Sequence, residues 1–367
     1  MVCVCLSHVR YYFADTEPAL YALLTNVTRL ATPTFLLLSG FIASYVLSSG
    51  RPEARISVLD RGLFVLVAGH LLLSWADLGT VPLQDWIFGR MTVTDVIAVC
   101  LISAVFAFRL STPALAVGGI VLAFASWPFA AMWTPETELG RYAGIVVFNV
   151  RSEASTLTDA ALAPYLGLFL IGMCLSRWCA RDLAARAYSN AARKLMIVGA
   201  ILVALILVVD VSWMIVKRTL LADAQSSWVS LVQVTLNPRQ KMPPSPAYLL
   251  FYSGVGLLIA GICLLGRPKA IVPRIVDWSS TLGRASFMCF VVQDWMLVLA
   301  PVLFGFTHVK SMTFWAAYLV AAIIVLHALA ARWDRARANR FLTIGLKQSY
   351  SIRQRKVAFS NREKAAH

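Results

Sequence analysis

The chain has 367 residues, 59% hydrophobic and only 14% charged, with a mean hydropathy of +0.72 and a formal net charge of +15. A soluble globular chain carries roughly 45–50% apolar and about 25% charged residues, so a soluble fold is excluded for want of polar surface to cover its core. The apolar residues form continuous blocks rather than the alternating pattern of a membrane barrel. Crossing a bilayer takes about 20 residues in a helix that bonds its own backbone. The predicted class is therefore all-α: a polytopic transmembrane helical bundle of about ten helices.

In chain order, the predicted spans are 1–13, 30–47, 57–75, 92–108, 113–132, 160–178, 195–216, 246–265, 285–304 and 312–331. The first is anomalous. About 13 residues rise only ~20 Å against a ~30 Å hydrocarbon core. It lacks the basic lead and the cleavage site of a signal peptide, so the natural helix is expected to begin upstream. Residues 1–331 read as a single transmembrane domain and 332–367 as a basic cytoplasmic tail. The outer loops 133–159 and 217–245 are the longest, and a lid is expected there.

Charge sets the expected orientation. With both termini inside, 23 of the 33 Lys and Arg fall in cytoplasmic segments, and the remaining basic residues are nearly balanced by acids outside. This is the positive-inside pattern. The net charge thus reflects topology and contact with anionic membrane lipid, and no nucleic-acid-reading module is present. The seven cysteines lie within spans or at their inner ends, so no structural disulfide is expected. Cys3 and Cys5 lack metal-ligand partners at usable spacing, so no metal site is predicted. No Gly-rich phosphate loop appears, which argues against ATP.

Some residues are costly inside a bilayer and belong in a bundle interior or a wet cavity. His8 lies toward the outer end of the first span. His70, Asp95 and Asp210 lie in the third, fourth and seventh spans, Gln293 and Asp294 near the middle of the ninth, and His327 near the inner end of the tenth.

His8, then Arg29 ahead of Ala31-Thr32-Pro33-Thr34-Phe35-Leu36-Leu37-Leu38-Ser39-Gly40-Phe41, resembles the start of the membrane acyltransferases. These include acyltransferase-3 proteins, osmoregulated-glucan succinyltransferases and heparan-α-glucosaminide N-acetyltransferases. Three further stretches are similar to the last branch: Pro164-Tyr165-Leu166-Gly167-Leu168-Phe169-Leu170-Ile171-Gly172, Lys241-Met242-Pro243-Pro244-Ser245-Pro246-Ala247-Tyr248, and Leu282-Gly283-Arg284-Ala285-Ser286-Phe287. The chain departs from the pattern in lacking the Arg-Gly before the helical His. Gln293 stands where the family often has His, and Met242 where it usually has Tyr.

The resemblance implies an enzyme that takes an acyl group from cytoplasmic acyl-CoA, a co-substrate rather than a bound cofactor. The group goes to a hydroxyl or amine of an extracytoplasmic sugar or glycan, in a bacterial inner (plasma) membrane. His8 is the implied base, since His titrates near neutrality, and an acyl-His8 intermediate is chemically open. Arg29, Asn26 and Ser39 are candidates for holding the acceptor or the oxyanion. Arg55, Arg61, Lys269, Arg274 and Arg284 are candidates for the donor phosphates. A path from that basic cluster to His8 is then required. The alternative is a non-catalytic carrier of a lipid or small solute, with a polar pathway through His70, Asp210 and Asp294.

Overall fold

The computed structural model describes residues 1–13, 17–77, 91–125, 127, 136–148, 161–220, 232, 234–241, 243–265, 271–346 and 348–350. They build an all-α bundle. Helix α1 (Val2–Val9) runs into a 3-10 turn (Arg10–Phe13) and is followed by α2 (Pro18–Thr28), α3 (Ala31–Leu47), α4 (Pro52–Phe64) and α5 (His70–Ser74). Next come α6 (Val93–Ala107), α7 (Thr112–Ile120), α8 (Glu138–Phe148), α9 (Leu162–Ala184), α10 (Tyr188–Leu220) and α11 (Pro246–Leu265). The chain closes with α12 (Ile271–Arg284), α13 (Ser286–Asp294), α14 (Ala300–Leu303) and α15 (Met312–Arg335).

Among the described residues, seven helices are long and apolar enough to cross a membrane: Pro18–Leu47, Glu53–Ser74, Leu162–Ala184, Tyr188–Val216, Pro246–Leu265, Ser286–Leu303 and Met312–Arg335. The other three expected spans correspond to α1 and to two shorter apolar helices, Val93–Ala107 and Thr112–Phe124. The second span begins twelve residues earlier than its hydropathy suggested. Pro18 sits in the first turn of α2, where its fixed φ favours a helix start, and Arg29 and Leu30 keep right-handed helical dihedrals into α3. Thr25, Asn26, Thr28 and Arg29 break the apolar run but not the helix.

Two of the quoted motifs meet in space. A Cβ on Gly40 would stand 2.0 Å from the carbonyl oxygen of Phe169, and one on Gly172 would stand 2.0 Å from that of Leu37. The Ser39-Gly40 and Ile171-Gly172 steps are therefore where α3 and α9 touch backbone to backbone, the way helices associate without help from water. A second core joins the two ends of the chain. Cys5 and Val9 of α1 pack among Leu282, Cys289, Leu297, Trp315 and Leu326, and Tyr12 stacks on Trp315 with centroids 3.6 Å apart. This burial fixes α1 despite its shortness.

One end of the bundle is basic. There Arg177 donates to the Phe108 and Leu110 carbonyls at 2.7 and 2.6 Å, satisfying the terminal carbonyls of α6. Helix α15 continues past the boundary expected at 331, to Arg335. A 3-10 turn (Ala338–Phe341) then turns the chain back onto α4. Buried Asp60 of α4 accepts the Thr343 hydroxyl and the backbone N–H groups of Ile344 and Leu346. All seven cysteines are free thiols.

Candidate functional site

His8 lies near the C-terminal end of α1, and Asp294 is the last residue of α13. Their helices meet in the core that joins the chain ends, and His8 Nε2 lies 3.1 Å from Asp294 Oδ1. The imidazole is 29% exposed and the carboxylate 15%. Gln293, fully buried, donates Nε2 to the same Asp294 Oδ1 at 2.8 Å and to the Phe290 carbonyl at 3.1 Å. Its Oε1 is buried with no hydrogen-bond partner.

The helix changes to π geometry at Trp295–Leu299, directly after Asp294. Such a widened turn is frequent at functional sites, and here it is pinned from outside, since Trp295 Nε1 donates to the Leu72 carbonyl at 2.7 Å. With Nε2–H committed to the carboxylate, the lone pair of a neutral His8 belongs to Nδ1. A histidine thus faces a carboxylate oxygen that a glutamine amide also holds.

A second His–Asp pair lies on neighbouring elements. His70 opens α5 after another π turn (Val65–Gly69), and its Nδ1 is 3.0 Å from both oxygens of Asp95 on α6. Asp95 is also the third residue of α6, where it accepts the Thr92 backbone N–H at 2.7 Å and the Thr92 hydroxyl at 3.0 Å in a capping box.

Arg29 and Asn26 bond each other at 2.6 Å where α2 meets α3. The Pro243-Pro244-Ser245 run explains how Tyr248 reaches them. Ser245 is buried, donates its hydroxyl to the Asn237 carbonyl at 2.7 Å, and caps the Tyr248 N–H at 3.0 Å. Tyr248 then donates its hydroxyl to the Arg29 carbonyl at 3.2 Å.

A cavity of about 1400 Å³ runs along α3. Leu30, Ala31, Thr34, Phe35, Leu38, Ser39, Ile42, Ala43 and Val46 line it, which is one helical stripe covering about 24 Å of axis at ~1.5 Å per residue. Its basic end is polar, with Ser57, Asp60, Arg61, Trp278, Asn339, Arg340 and Thr343; its middle is apolar, with Ile97, Leu101 and Phe287. Thr34 Oγ1 is buried there without a partner. His8 is not itself in the lining, which includes Val4 on α1 and Phe290 on α13, each one helical turn from the His8–Asp294 pair.

The expected residues thus fall into separate groups. His8, Gln293 and Asp294 come together; His70 joins Asp95; Arg29 joins Asn26. Ser39 lines the cavity about 15 Å along α3 from Arg29, at ~1.5 Å per residue, and so does not share their station. Asp210 is on α10, which packs chiefly on α9 and α11, away from both His–Asp pairs. Arg61 lines the cavity, whereas Arg55 is exposed and outside its lining.

Arg284 is ion-paired to Asp334 at 2.8 Å. Lys269 lies outside the described residues, and of Arg274 only the helical backbone is described. Parts of both expected lid loops also lie outside them; Trp127, ahead of the first loop, donates its Nε1 to the Thr235 hydroxyl, within the second, at 2.7 Å. Sequence reasoning did not single out Asp60, Trp278, Asn339, Arg340 or Thr343. The one available signal was an amphipathic 271–284 segment with Trp278 on it. Among the described residues, no three His, Cys, Asp or Glu gather as a metal site.

A polytopic all-α membrane protein with a His–Asp pair beside a long cavity is the class that fold and site define. The family model for the catalytic domain of heparan-alpha-glucosaminide N-acetyltransferase matches residues 1–215, and the chain belongs to that family. Neither a curated protein nor a solved structure matches it. The matched stretch contains His8, Arg29 and the α3 and α9 motifs; the carboxylate facing His8 comes from beyond it.

Proposed function

We propose that this protein moves an acyl group from cytoplasmic acyl-CoA to a hydroxyl or amine of an extracytoplasmic sugar or glycan. The observation that carries the proposal is the His8–Asp294 pair one helical turn beyond a cavity that follows α3 across the bundle. The basic end is taken as cytoplasmic by the positive-inside rule. Arg61 and Arg340 there attract the donor's phosphates, and the apolar middle accepts a thin, uncharged arm with the thioester at its tip.

At the other end, His8 Nδ1 removes the proton from the acceptor as it attacks the thioester carbonyl. Asp294 holds the ring and stabilises the imidazolium that forms. The proton then leaves with the thiol. Helix α1 must admit the thioester past Val4 for this to occur, a rearrangement of about one turn.

The test uses purified protein in nanodiscs with radiolabelled acetyl-CoA and amino-sugar acceptors. Transfer that requires both protein and acceptor, and that fails in His8→Ala, supports the reading. Binding without transfer would favour the carrier reading, for which the apolar middle of the cavity and the absence of His8 from its lining speak.

A further inference from the structure

Trp278 occupies a distinctive place at the polar end of the cavity. It sits midway along α12, and His327 of α15 stacks on it with ring centroids 5.0 Å apart and planes within 10° of parallel. The imidazole thus backs one side of the indole, while Trp278 also lines the cavity. A partly buried aromatic ring borders the same cavity as Arg61, Asn339 and Arg340.

Charge there is arranged to favour an anion. Arg61 and Arg340 border the cavity, and the Asp60 carboxylate is occupied by the Thr343 hydroxyl and by two backbone N–H groups. A phospholipid would use the arginines and the apolar trough but offers nothing planar to the indole. A nucleotide-headed thioester uses all three features.

We propose that Trp278 is the seat of the donor's nucleotide base, with His327 as its backing and Arg61 and Arg340 bordering the same space for the phosphates. This rests on the acyl-CoA reading above and adds to it a residue that sets donor specificity. Base–aromatic stacking tolerates any base and is strong enough to be measured by substitution. Removing it should weaken binding of the nucleotide-bearing donor about tenfold, the lower part of the range such substitutions give.

The experiment measures binding of acetyl-CoA and of acetyl-pantetheine, which lacks the nucleotide, to the full chain in nanodiscs. Trp278→Leu should weaken acetyl-CoA about tenfold and leave acetyl-pantetheine unchanged, while Trp278→Phe retains most of the preference. Equal weakening of both ligands would make Trp278 a packing residue only and overturn the proposal, as would an unchanged preference for acetyl-CoA.

Wild-type protein that binds neither ligand would overturn the donor reading and this proposal together. Wild type that binds a phospholipid instead would do the same in favour of a carrier. Because Trp278 also packs against the core that joins the chain ends, photolabelling of wild type with an 8-azidoadenine analogue of CoA gives an answer without any variant. Label on the 271–284 peptide supports the seat, and label only elsewhere removes it.

Discussion

His8 and His70 each face an aspartate at hydrogen-bond distance, yet the two aspartates do different things. Asp95 has both oxygens on His70 and also receives the Thr92 N–H and hydroxyl, so its charge is spent on starting α6. Asp294 instead lies inside the continuous helical span Ser286–Leu303, at the step into the π turn, and caps no helix end. Its known donors are side chains from His8 and Gln293, and both members of the His8–Asp294 pair are more exposed than their counterparts in His70–Asp95. On the function proposed above, the more exposed pair is the one assigned to chemistry, and the pair that caps α6 the one assigned to architecture.

The largest effect expected from this contrast is on His8. His8→Ala should lower acyl transfer by about 10²–10⁴-fold, as loss of a general base does, while the protein still inserts and migrates as folded. Activity within a few-fold of wild type would shift the search to His70. Asp294→Asn comes next: it keeps the size and one hydrogen bond but removes the charge that orients and stabilises the ring. The expected loss is about 10²-fold in kcat with little change in KM, measured by initial rates at saturating donor.

The pair at His70 should break in the opposite sense. Asp95→Asn weakens a capping box and a charged hydrogen bond, which together stabilise by about 1–3 kcal/mol. A lower melting temperature in detergent is therefore expected, with kcat of the surviving folded protein within about threefold of wild type. A kcat loss as large as that of Asp294→Asn, without a stability loss, would erase the distinction between the pairs.

Much of the bundle was legible in the sequence because a bilayer makes span length a composition signal. Where helices were mislaid, the reason is local: α2 is helical through Thr25, Asn26 and Thr28, whose polarity hides it from a hydropathy reading. The individual members of the site were legible too, since His8, Gln293 and Asp294 are expensive in lipid. Their pairing was not. Nothing in spacing tells which faces of α1 and α13 meet, because that follows from the packing of α1 among α12, α13 and α15. The return of the chain to Asp60 was hidden for another reason. Residues 332–346 are basic and read as a cytoplasmic tail lying on anionic lipid, whereas the backbone N–H groups of Ile344 and Leu346 and the Thr343 hydroxyl supply the contacts.

The smallest effect expected is the most discriminating about how the site is built. Gln293 stands where the resemblance noted in the sequence leads one to expect a histidine. It offers an amide whose Nε2 holds Asp294 and whose Oε1 is buried with no partner. An unsatisfied buried acceptor costs about 1–3 kcal/mol, so Gln293→Leu, similar in bulk, removes that cost while releasing one of the donors on Asp294 Oδ1. Stability should therefore stay level or rise. Activity should fall by only about three- to tenfold, because His8 still holds the same oxygen and a hydrogen bond to a charged group contributes roughly 1.5–3 kcal/mol when lost outright. A thermal melt and a kcat measured on the same preparation separate the two terms. If activity is unchanged, Gln293 is a packing residue and its bond to Asp294 is dispensable. A fall beyond 10²-fold would instead mean that the amide takes part in the reaction itself, and that its buried Oε1 has a partner only when substrate is bound.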